Sequence, residues 1–219
     1  MVKKSSSKKT VEGEAYWSKR PADDERLDWR NQAGSWVEEY VQSAVHPHRE
    51  SVVEAVRSFS EVVGILEVGC NAGPNLLRLA EAFPETQLAG FDINPHAISR
   101  ACEVLPRAIL KEGSLSAFPF GDKEFDIGVA DAVLMYADPE LCRTAFKEFQ
   151  RVVRKGLVLV EWFDEDIEGV VKDYHWARNY PAMAKEYGFE LVAETPLTEE
   201  TWPHKTWVSN GRLFTFRVQ

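Results

Sequence analysis

Ile65-Leu66-Glu67-Val68-Gly69-Cys70-Asn71-Ala72-Gly73-Pro74-Asn75-Leu76-Leu77 is the stretch on which the fold turns. It opens as a short apolar run rich in branched residues and carries two glycines four apart. Pro74 then leads into Leu76, Leu77, Leu79 and Ala80 at helical spacing. The reading is a buried strand, a tight turn and a helix. Glycine at 69 and 73 removes two Cβ atoms and lets backbone N–H groups approach a ligand. Pro74 suits the first helical position, and the orphan N–H groups of that first turn, with the helix dipole, favour a carboxylate or phosphate.

A dinucleotide site needs G-x-G-x-x-G. This chain has Glu67 where the first glycine would stand, which argues against a pyrophosphate and hence against a nicotinamide-dependent oxidoreductase. A cationic ligand bearing one carboxylate suits the turn better. The motif resembles the glycine-rich first motif of class I S-adenosylmethionine-dependent methyltransferases, close to E/D-x-G-x-G-x-G, and in particular the small-molecule, type 11/12-like members. Asn71 replaces the middle glycine.

Working outward, Gln87 to Asp92 reads as a second strand ending in an acid, followed by Asn94-Pro95 as helix cap and first turn. Asp92 follows Gly73 by about 20 residues, the separation expected for a ribose-binding acid. Ala108 to Glu112 is a third strand ending at Gly113-Ser114-Leu115, and Phe125 to Asp131 a fourth. Pro139 to Val153 is an amphipathic helix that Lys155-Gly156 is expected to close, and Gly156 to Glu161 is an apolar run suited to a strand buried on both faces. The alternation specifies an α/β, Rossmann-like, doubly wound sheet with right-handed crossovers. Beyond it, 162–173 reads as an acidic loop and Trp176 to Tyr187 as a helix. The resemblance implies seven mostly parallel strands, with Phe189–Thr195 and Arg212–Val218 as an antiparallel C-terminal edge hairpin.

On the N-terminal side, residues 1–12 read as a disordered basic tail and 13–60 as a helical cap on a core of 61–219, the whole of 13–219 forming one methyltransferase domain. Tyr16-Trp17-Ser18-Lys19-Arg20 resembles a segment that closes over the cofactor, with Arg20 suited to a carboxylate. His46 and His48, two apart, do not share a helix face and no carboxylate completes a ligand set, so no metal site is expected.

The chain of 219 residues is 44% hydrophobic with a net charge of −9. That balance disfavours nucleic acid, whose phosphates call for clustered Lys and Arg. Three scattered cysteines without a C-x-x-C pair, no signal peptide and no run near the roughly 18 apolar residues of a span point to the cytoplasm. Either a monomer or a homodimer fits.

The resemblance implies S-adenosylmethionine as cofactor, S-adenosylhomocysteine as product and a small molecule as methyl acceptor. Glu67, Gly69, Cys70, Asn71, Gly73, Asp92, Ile93, Ser114, Leu115 and Asp131 would bind the cofactor. Tyr136 and His175 lead the candidates for a catalytic base, ahead of His46 and Glu161, and the aromatics of 162–180 are the expected acceptor wall. The competing reading is a binding module that holds the cofactor and acts through a partner protein.

Overall fold

The computed structural model describes residues 14–24, 35–172 and 175–219. The expected basic tail, Trp29 and Tyr174 lie outside them.

Among the described residues, α-helices α1 (14–19), α2 (Trp36–Gln42) and α3 (His48–Arg57) precede the sheet. The alternation then runs β1 (Gly64–Val68), α4 (Pro74–Ala82), β2 (Gln87–Asp92), α5 (Pro95–Val104), β3 (Ile109–Glu112), β4 (Phe125–Asp131), α6 (Pro139–Val152) and β5 (Val153–Trp162). A short hairpin of β6 (Val170–Lys172) and β7 (His175–Ala177) follows, then α7 (Tyr180–Glu186), β8 (Phe189–Pro196), α8 (Lys205–Asn210) and β9 (Gly211–Val218). The seven-stranded sheet has the order β3-β2-β1-β4-β5-β9-β8. Its first five strands are parallel; β9 runs antiparallel to β5 and β8 antiparallel to β9, as expected for an edge hairpin.

Because side chains alternate across a strand, each strand feeds two cores. Leu66 and Val68 join Phe146, Phe149 and Met183 under α6 and α7. Ile65, Ile127, Val129 and Val158 join Val52, Val56, Leu76 and Ile98 under α3, α4 and α5. Burial on both faces is why these strands read as continuous apolar runs. The same alternation sends Glu67 and Asp131 toward α3 and α4, and Glu161 toward the opposite face.

The chain departs from its sequence reading in four places. Lys155 and Gly156 do not end α6. They lie inside β5, and Gly156 is required there because a Cβ would strike the Phe216 carbonyl oxygen and come within 2.6 Å of the Phe59 ring. Residues 162–173 are not all loop, since β6 lies there, and Trp176 is not helical but pairs with Val171 in the hairpin. Helix α7 begins only at Tyr180, where Asn179 accepts the Ala182 N–H as its cap and proline falls in the first turn. Helix α8, between the two edge strands, has too short a periodic signal to be read from sequence.

Candidate active site

The turn after β1 is built on three left-handed residues, Gly69 (φ 66°), Asn71 (φ 49°) and Gly73 (φ 80°). Glycine is compulsory at 69 on two counts: its φ, and the 2.5 Å that would separate a Cβ from Val133 Cγ2. Asn71 tolerates the left-handed region because a short polar side chain can bond locally, and its Oδ1 accepts the Ala72 N–H at 2.7 Å. No side chain caps α4 at Gly73.

Asp92 ties this turn to the next. Its Oδ2 accepts the Asn71 N–H and its Oδ1 the Asn94 N–H, both at 2.9 Å. Burial raises its pKa, against the backbone hydrogen bonds from Asn94, Asn71 and Ile93. Each oxygen keeps a further lone pair for a ligand hydroxyl. The Cys70 N–H bonds the Phe91 carbonyl at 2.9 Å, and its thiol packs against Gly90 and donates to the Asn71 carbonyl at 3.7 Å. Ser114, at the end of β3, donates to Glu14 Oε1 at 2.9 Å. Asn94 Nδ2 reaches the carbonyls of Trp17 and Arg20, so α1 lies across the crevice above the carboxyl ends of β2 and β3. Leu115 packs against the α6 core. Arg20 pairs with the Asp24 carboxylate at 3.2 Å and lies 4.5 Å from the Trp36 ring.

At the ends of β1 and β4 lies a polar cluster the sequence did not announce. Asn75 Nδ2 donates to Glu67 Oε1 at 2.8 Å and to Asp131 Oδ2 at 2.9 Å. Asp131 Oδ2 also meets His48 Nε2 at 2.7 Å and Arg49 Nη1 at 3.2 Å. His46 and His48 share one hydrogen bond through their Nδ1 atoms at 2.5 Å, and the His48 ring lies 4.0 Å from that of Trp202. Desolvation works against the Asp131 carboxylate, yet His48, Arg49 and Asn75 together hold its pKa below the usual range. Burial pushes Glu67 up to about 8, against the Asn75 hydrogen bond and the Arg49 charge. Burial also lowers His48, although Asp131 opposes the shift. Glu67 Oε2, Asn75 Oδ1 and Asp131 Oδ1 are buried and find no donor among the described residues. Buried acceptors are rarely left unpaired without a ligand or water to serve them, and three at one point fit a cationic group rich in N–H donors.

Glu161 does not reach this crevice. On the other face of the sheet, with a pKa raised by burial to about 8, it accepts backbone N–H groups of the loop after β4. That loop carries Tyr136, whose ring meets His175 at 4.9 Å and Trp17 at 5.6 Å. The two expected base candidates are therefore neighbours. His175 continues to Trp162 (4.8 Å), Trp162 to Trp207 (5.9 Å) and Trp207 to Trp202 (4.0 Å). The aromatic wall thus draws Trp202 and Trp207 from the β8–β9 connection, besides the 162–180 segment read from sequence.

The two raised glutamates fix a pH dependence. A carboxyl that keeps its proton to about pH 8 when folded and loses it near 4.5 when unfolded makes the folded state bind more protons between those values. Stability then falls as pH rises through that window. His48, lowered from 6.5, acts in the opposite sense, but only below 6.5. The melting temperature of the ligand-free protein is therefore expected to be lower at pH 8 than at pH 6.5 in differential scanning fluorimetry. Glu67→Gln should reduce the slope, and an unchanged slope would contradict the shift.

A family model described as a methyltransferase domain matches residues 65–156. An uncharacterised protein of Haemophilus influenzae is 28% identical over 154 residues, 66% of this chain. The match spans 56% of that relative's length. Among solved structures, the S-adenosylmethionine-bound magnesium protoporphyrin IX methyltransferase of Synechocystis superposes with a TM-score of 0.68 at 14% identity, over 98% of this chain and 99% of that one. The geranyl diphosphate C-methyltransferase of Streptomyces coelicolor, with Mg2+, geranyl diphosphate and S-adenosyl-L-homocysteine, gives 0.67 at 11% identity, over 98% and 100%. At such identities the likeness is one of fold. Residues 65–156 are thus similar to a methyltransferase domain, and the chain has the same fold as these two methyltransferases.

Proposed function

We propose that the protein transfers a methyl group from S-adenosylmethionine to a small-molecule acceptor, with 13–219 acting as one domain. The observation that carries this reading is the trio of buried, donorless oxygens of Glu67, Asn75 and Asp131 beside the left-handed glycine turn. They suit the ammonium end of such a cofactor, while the uncapped first turn of α4 suits its carboxylate. Asp92 then holds the ribose hydroxyls, and Ser114 and Leu115 flank the adenine. Bound there, the cofactor supplies an electrophilic methyl carbon on a positively charged sulfur.

The chain's own contribution is chiefly alignment. Asp92 fixes the two turns that shape the floor, and Trp17 and Tyr136 screen the crevice from water. Tyr136 and His175 are the groups to take a proton from a hydroxyl or ammonium acceptor. A net charge of −9 supports a partner other than nucleic acid, and the three free cysteines support a reducing compartment. Among the described residues no helix is long and apolar enough to cross a membrane.

Isothermal titration with S-adenosylhomocysteine tests the reading. Saturable binding is expected, weakened in Asp92→Ala by at least about 1.4 kcal/mol, a factor of ten. Absence of heat from the folded wild type would overturn the cofactor assignment.

A further inference from the structure

Five backbone groups of the loop between β4 and α6 are held by two polar side chains that lie far from it in sequence. Glu161 Oε1 accepts the N–H groups of Val133 and Leu134 at 2.9 and 2.8 Å, and Oε2 accepts that of Met135 at 3.0 Å. Arg178 Nη1 donates to the Leu134 carbonyl at 2.9 Å, and Nη2 donates to that of Ala137. Glu161 and Arg178 are both fully buried. The loop they grip is not relaxed: Ala132, at its start, has φ 56°, a left-handed value for a residue with a Cβ. A backbone turn can be satisfied by short caps from neighbouring residues. The structure instead commits two long buried side chains from elsewhere in the chain, one to the loop's donors and the other to its acceptors.

What the loop touches gives that commitment a purpose. The Val133 side chain fills the space that Gly69 leaves open in the glycine turn. Three residues on, the Tyr136 ring lies between Trp17 of α1 and His175 of β7. The Leu134–Tyr136 segment is a single 3-10 turn, so Val133 and Tyr136 move together.

We infer that Glu161 and Arg178 are positioning residues: without meeting any ligand, they set the 132–137 loop so that Val133 braces the cofactor turn and Tyr136 faces the acceptor. The inference rests on the methyltransferase reading. It accounts for a carboxylate at the end of β5 that the sequence placed in the crevice and the fold turns away from it.

The test is S-adenosylhomocysteine affinity of the full chain by calorimetry, in Glu161→Gln, Val133→Ala and the double variant, with valine-methyl NMR spectra alongside. Glu161→Gln is expected to bind at least tenfold more weakly. The loss should be largely absent when Val133→Ala is already in place, because both changes act through the same loop. Val133 methyl resonances should shift while those of Val52 and Val56 in α3 stay put. Unchanged affinity in folded Glu161→Gln would overturn the inference, as would losses that simply add in the double variant. If Glu161→Gln does not fold, Arg178→Lys, which keeps the charge but not the two-carbonyl fork, is judged by the same criteria. Failure of the wild type to bind would fall instead on the cofactor reading, leaving the resonance shifts to decide the loop's anchoring.

Discussion

Replacing Asp131 with alanine is expected to lower the melting temperature by roughly 6–20 °C. The estimate combines about 3–5 kcal/mol for breaking a buried charge pair with about 2–4 °C per kcal/mol in a chain of this size. The cost comes less from the lost attraction than from what is left behind. Arg49 is buried, and its other hydrogen bonds among the described residues go to the Ser43 carbonyl and hydroxyl. Without Asp131, that guanidinium keeps its desolvation and loses its counter-charge. His48 loses the partner of Nε2, and one of the two acceptors of the Asn75 amide disappears. A paired Arg49→Met, Asp131→Leu variant removes both charges and should regain most of the stability while still failing to bind S-adenosylhomocysteine. Thermal melts and calorimetry on the two variants separate the structural from the ligand-binding share. If Asp131→Ala melts within about 2 °C of wild type, the charge pair contributes little.

Gly69→Ala should be the most damaging single methyl added to the cofactor turn. A non-glycine residue held left-handed costs about 1–2 kcal/mol, and overpacking a filled space adds about 1–3 kcal/mol. Here the new Cβ would stand 2.5 Å from Val133 Cγ2 and 2.7 Å from Cγ1, on a β-branched side chain with little rotamer freedom. S-adenosylhomocysteine affinity should fall at least about tenfold, or 1.4 kcal/mol. Gly73→Ala is the control: its Cβ would meet Leu105 Cδ1 at 2.6 Å, the far end of a more pliable side chain. Adding Val133→Ala to Gly69→Ala should recover the overpacking share but not the backbone share. Equal losses at 69 and 73 would remove the role assigned to Val133.

The strands and the switch-point turn were legible because they are local. Branched apolar runs bounded by Gly, Pro and Asn mark β1, β2, β4 and the edge hairpin, and Asn94-Pro95 marks the start of α5, whose cap accepts the His96 and Ala97 N–H groups. Asp92 was legible as the acid that closes β2, since its distance from the turn is set by the length of one strand–helix unit. Glu161 misled because a carboxylate closing an apolar strand reads the same way whichever face it takes. Trp176 misled because a three-residue hairpin strand carries no periodicity to set against a helical pattern.

The sequence by itself determined the doubly wound sheet and the glycine turn at 69–73, because strand burial, glycine backbone freedom and helix capping act over a few neighbouring residues; the left-handed backbone there and the hydrogen bonds of Asp92 to it came from the fold. Only the tertiary structure decided which charges face one another. His48 and Arg49 reach Asp131, Asn75 bridges Glu67 and Asp131, and Arg178 meets Glu161's loop across separations that run from 8 to 83 residues. Those partnerships are set by crossover geometry and by strand parity, which sends Glu67 and Asp131 to one face of the sheet and Glu161 to the other. Electrostatic energies depend on distance and burial, and neither quantity exists until the chain has folded.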